Sequence, residues 1–172
     1  MDLANDLLDV ADSLAKANPG NQATYRRSVS TAYYAVFHLL VDAAAQRLVN
    51  APGTPADLLF RRLPTHTQLK ALCEELVPKK DQNNPVLGPK NWRVQAGLKG
   101  GVAPQITTLA ERVLSLHSKR EMADYDIGTP VSALEAEHQV DRAREVFAAV
   151  ASGLPEPQWT LLLVSLLPSP KR

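Results

Sequence analysis

Apolar residues in this chain recur three and four positions apart along most of its length, and no alternating strand pattern survives inspection. That spacing lines side chains up on one face of a helix, so it restricts the chain to an all-α fold. Leu3, Leu7, Val10 and Leu14, with Leu8, Ala11 and Ala15 beside them, make one such face, and Asn18-Pro19-Gly20 stops it. Asn21 is a suitable N-cap for a second helix running to about Val49, before Asn50-Ala51-Pro52-Gly53. At 1.5 Å per residue that helix is roughly 40 Å long, the length of a main bundle helix. Thr54-Pro55 opens a short helix to about Arg62, and Thr65 caps another from His66 to Val77. Pro104 begins a helix through Asp124, and Thr129-Pro130 begins the last long one. The expected architecture is an up-and-down four-helix bundle with additional short helices over residues 1–152.

Two segments fall outside that pattern. From Pro78 to Ala103 the chain is rich in Pro, Gly, Asn and Lys and has no period, which predicts a flexible or functional loop. Leu58 to Gly100 holds eight bases against three acids, a stretch able to touch phosphate although scattered lysines are usually just solvated. Residues 153–172 carry an apolar run from Trp159 to Leu167, too short for a bilayer and expected to dock on the bundle or on a second copy. The whole chain has a formal net charge of +1, so no global field calls for nucleic acid or membrane. A single cysteine, Cys73, excludes an internal disulfide and every multi-cysteine zinc pattern, and reads as a small core residue. The acidic start, with Asp2, Asp6, Asp9 and Asp12, is unlike a basic signal peptide, and a cytoplasmic protein is expected.

The second helix is unusually polar in its middle. Arg26, Ser30, Tyr33, Phe37 and Leu40 form one stripe, and Arg27, Thr31, Tyr34 and His38 form the next. A buried phenol or guanidinium must find a hydrogen-bond partner or cost a few kcal/mol, so such a helix is either solvated or built around a shared polar site. The helix after Pro104 offers partners: Arg120 and Asp124, four apart, continue its apolar line, and His117 sits one turn earlier. Tyrosines meeting that Arg–Asp couple would either fix helix register or carry chemistry. No His-x-x-x-His spacing appears, so neither a metal nor a cofactor is expected.

Arg27-x-x-Ser30-Thr31-Ala32-Tyr33-Tyr34-Ala35-x-Phe37-His38, the pair Thr65-His66, and Arg120-x-x-Ala123-Asp124-Tyr125-Asp126 together resemble prokaryotic HEPN-domain proteins. The likeness runs in order from Leu3 to about Ala151. It implies an up-and-down α bundle that pairs as a homodimer, with RNA, an antitoxin or a nucleotidyltransferase as partners. Members serve in RNA cleavage, toxin–antitoxin modules or phage defence, and others are non-catalytic interaction or nucleotide-binding modules. Catalytic members carry Arg, four to six residues, then His. Arg112 to His117 and Arg61 to His66 both have that spacing, although Val113 follows Arg112 where the family has a polar residue. For a metal-independent endoribonuclease, His117 or His38 would act as general acid or base, and Arg120 or Arg112 as the cation at the scissile phosphate. The RNA supplies its own 2′-OH. Arg27, Tyr33, Tyr34, Asp124, Tyr125 and His66 would line the binding site.

Overall fold

Asp2, Asn21, Thr54 and Thr65 each cap a helix in the computed structural model, which describes residues 2–17, 20–77, 98 and 101–167. Among the described residues there are seven helices and no strand. They are α1 (Leu3–Lys16), α2 (Gln22–Leu48), α3 (Pro55–Phe60), α4 (His66–Leu76), α5 (Pro104–Tyr125), α6 (Ala133–Ser152) and α7 (Gln158–Ser165). Asn21 Oδ1 accepts from the N–H groups of Ala23 and Thr24, satisfying two of the donors that a helix start leaves open. At Asn50 the backbone turns into the left-handed region, with φ 49°, which asparagine tolerates better than most residues.

The start of α6 differs from the expectation at Thr129-Pro130. Its cap is Ser132, whose Oγ accepts from Glu135 N at 3.1 Å. The residues before it are stitched into a loop. Thr129 gives its hydroxyl proton to Asp126 at 2.6 Å, and Val131 exchanges two bonds with the Gln22 side chain, at 2.7 and 2.8 Å. The bonds to Gln22 hold Val131 outside the helix, and the cap falls on the next side-chain oxygen along the chain, Ser132.

The chain divides into two compact units, neither continuous in sequence: Met1–Leu39 with Arg112–Ser152, and Leu40–Glu111 with Gly153–Arg172. The first unit is a four-helix ring. Ser28 Oγ donates to the Ala11 carbonyl at 2.8 Å and joins α2 to α1. Arg112 meets Glu145 at 2.6 Å and Lys119 meets Glu135 at 3.0 Å, joining α5 to α6. Arg144 reaches Asp12 at 2.8 Å and closes α6 on α1. Between α2 and α5 the partners of Arg26, Ser30 and Tyr34 step back from Asp126 to Asp124 to Arg120, so those helices run antiparallel. The same reversal orders α5 against α6. The core is Val29, Ala32, Tyr33, Val36, Val113, Leu116, Val140 and Ala143, all at most 1% exposed. Helix α1 buries Ala4, Ala11 and Ala15, while Leu3 and Val10 stay 47% and 49% exposed, so only part of its apolar face is core.

In the second unit Leu69, Leu72, Cys73 and Leu76 of α4 are buried, as are Ile106 and Leu109 of α5. Helix α7 buries Leu162 and Leu163, and Leu166 follows. Its start is pinned by Gln158, which accepts from Ala103 N at 2.7 Å and donates to the Gly101 carbonyl at 2.9 Å. Glu156 adds an ion pair to Arg47 at 3.0 Å. The apolar tail therefore docks within its own chain. Asp57, 4% exposed, accepts from Gly53 N and from Arg61 Nε, both at 3.0 Å, and Arg61 also pairs with Asp42. Most of the expected basic loop, residues 78–97, 99 and 100 with Trp92, lies outside the described residues. No helix among the described residues is long and apolar enough to cross a membrane.

Candidate functional site: a polar cluster between α2 and α5

Ser30, Tyr33 and Tyr34 project from α2 within one turn, and His117, Arg120 and Asp124 project from α5 within two, so antiparallel packing brings the sets together. Arg120 Nη2 donates to the Tyr34 hydroxyl at 2.8 Å. Its Nε lies 2.7 Å from Asp124 Oδ2, and the other carboxylate oxygen, Oδ1, accepts from Ser30 Oγ. The guanidinium carbon is 5.5 Å from the Tyr34 ring centroid and 5.4 Å from that of Tyr125, within cation–π range of both. Burial works against the Arg120 charge, but the bond to Tyr34 and the nearby Asp124 outweigh it and push its pKa further up. This cation is permanently charged and held from three sides.

Behind it, Tyr33 is fully buried and meets His117 edge to face, with centroids 5.3 Å apart at 89°. Tyr33 also lies edge-on to Tyr34 at 5.7 Å. His117 is 5% exposed, and its Nδ1 is 3.4 Å from the Glu121 carboxylate.

The other sequence candidates are placed elsewhere. Arg112 pairs with Glu145 on α6, whereas His117 faces Tyr33 on α2; five residues apart, they sit about 140° around the helix from one another. His38 is half-buried against the Phe37 ring at 5.6 Å, and burial pushes its pKa down. Arg27 is exposed. Tyr125 is 72% exposed at the outer edge of the cluster. His66 opens α4 in the other unit, and Arg61, which shares its motif spacing, is committed to Asp42 and Asp57.

Arg26 was legible on the α2 stripe, but not its task. Its guanidinium donates to the carbonyls of Ala123 and Asp126, both at 2.9 Å, and to that of Thr129. It closes the C-terminal end of α5, where a helix leaves carbonyls open and favours positive charge. A cation on a stripe that faces the end of another helix is the signal that would have found it. Glu135 and His138 have the spacing of a ligand pair, yet Glu135 is taken by Lys119 and Gln139, and His138 is exposed. Among the described residues no group of three His, Cys, Asp or Glu could hold a metal ion.

Fold and site together define an all-helical protein with a charged network between α2 and α5 that opens to solvent at Asp124 and Tyr125. No family model matches the chain, and neither the curated proteins nor the solved structures contain a match to it.

Proposed function

We propose that this chain is a HEPN-type helical bundle that works as a non-catalytic recognition module. The observation that carries the proposal is the mutual engagement of the groups in its polar cluster. His117 is 5% exposed and packed on Tyr33, and Arg120 engages Tyr34 through Nη2 and Asp124 through Nε. A general acid or base must come within hydrogen-bond reach of the group it serves, and a cation that binds phosphate must present donors to it. Groups engaged with one another in this way meet those needs poorly, and they hold α2 and α5 in register. The partners implied by the family resemblance come with the proposal: a second copy of the chain, RNA, or an antitoxin or nucleotidyltransferase protein.

One observation favours a metal-independent ribonuclease as the second reading. Glu121 stands 3.4 Å from His117 Nδ1, the arrangement that orients an imidazole for proton transfer, and Arg120 lies one turn further on. Incubating the purified chain with tRNA, mRNA and short oligonucleotides at pH 6 to 8 without added metal decides between the two. The module reading expects intact RNA. Cleavage that disappears in His117→Ala, with helicity retained by circular dichroism, overturns it.

A further inference from the structure

Two apolar stripes run along α1, each with residues spaced by four, three and four: Ala4, Leu8, Ala11 and Ala15, and, one position earlier, Leu3, Leu7, Val10 and Leu14. The bundle buries the alanines of the first. In the second, Leu3 and Val10 are 47% and 49% exposed, and Leu7 and Leu14 are half-buried. The bulkier set, which has more free energy to gain from burial, is thus left towards solvent. Its spacing is that of the seam between two paired helices.

Charge says what kind of helix completes the seam. Asp6 lies on the surface between Leu3 and Val10, three residues from one and four from the other, and Asp2 and Asp9 are exposed on the same flank. The nearest base on α1, Lys16, is already paired with Asp12 at 2.7 Å. We infer that this stripe is the docking site for an amphipathic helix of a partner protein, one whose own leucine seam is flanked by lysine or arginine. A second copy of α1 is the poorer occupant, because antiparallel stripe-to-stripe pairing would set acidic flank against acidic flank and parallel pairing would set it against the other copy's bundle-facing side, with no base on either. The inference deepens the recognition-module reading by giving its partner a chemistry.

The test uses two synthetic helical peptides of 14 residues, the length of α1, with leucines at the same spacing. One is flanked by lysine and the other by glutamate, and fluorescence anisotropy reads their binding to the full chain. The lysine peptide is expected to bind, and the glutamate peptide to bind at least about tenfold more weakly. The exposed double variant Asp6→Lys/Asp9→Lys, with its fold checked by circular dichroism, should invert that preference, and Val10→Asp should abolish binding of both. Equal binding of the two peptides, an unchanged preference in the double variant, or full binding by Val10→Asp overturns the inference. So does a wild-type dimer in sedimentation that Val10→Asp dissolves, since the occupant is then a second copy. Peptide binding is read independently of RNA, so a chain that cleaves RNA while keeping this preference sinks the module reading alone.

Discussion

Tyr34 contributes two things to Arg120, a hydroxyl acceptor and a ring face, and they separate by substitution. Tyr34→Phe keeps the ring and removes the 2.8 Å bond. It is expected to cost about 1–2 kcal/mol, the worth of a hydrogen bond to a charged donor. Asp124→Asn removes the counter-charge and is expected to cost more, about 2–3 kcal/mol, because a mostly buried guanidinium then lacks its anion. Urea denaturation of the two single variants and the double variant gives the coupling between them. Additive losses would mean that Tyr34 and Asp124 do not act through a shared Arg120. The cluster also separates what a stripe shows from what it hides. The meeting of Tyr34 with Arg120 follows from spacing on two helices, whereas the bond of Ser30 to Asp124 depends on how closely α2 and α5 approach, which no linear pattern encodes.

At the scale of the element, helix starts were more legible than the loop that joins α5 to α6. Asn21, Thr54 and Thr65 cap where a side-chain oxygen before an apolar run says they should. Thr129 has the same local signature, but Val131 is bonded to Gln22, a residue over a hundred positions away, and the helix starts instead behind Ser132. A competitor so distant in sequence is invisible to any local rule. Arg26 is the keystone of this loop, spanning the end of α5 and the carbonyls of Asp126 and Thr129. Arg26→Met is expected to keep the apolar stem, lose about 2 kcal/mol, and speed amide exchange across 126–131. Hydrogen–deuterium exchange mass spectrometry reads that segment directly. Exchange as slow as in the wild type would show that Gln22 and Asp126 hold the loop without the arginine.

For the whole molecule, the all-helical class could be anticipated, because periodicity and composition act over long windows. The division into two interleaved units could not be, since it depends on which halves of α2 and α5 keep company with which neighbours. Cys73 offers a reporter of global opening. It is fully buried on α4, and burial pushes its thiol up to about 12, far from the thiolate that reacts. A disulfide-exchange reagent at pH 8 is therefore expected to leave the native chain unmodified and to label it stoichiometrically in 6 M guanidinium, with a labelling rate at intermediate denaturant that follows the unfolded fraction. Fast labelling of the native chain, read by mass, would show that α4 opens locally.

The inner face of α1 has a mechanical consequence. Alanine-lined helices offer one another shallow ridges, so a smooth rail like this resists sideways tipping but only weakly resists sliding. Two polar pins hold it along its axis, the Ser28 hydroxyl on the Ala11 carbonyl and one nitrogen of Arg144 on Asp12, the other going to Asp141. With both pins drawn, the register of this rail would rest on apolar packing alone, and with it the place where its outer leucines stand.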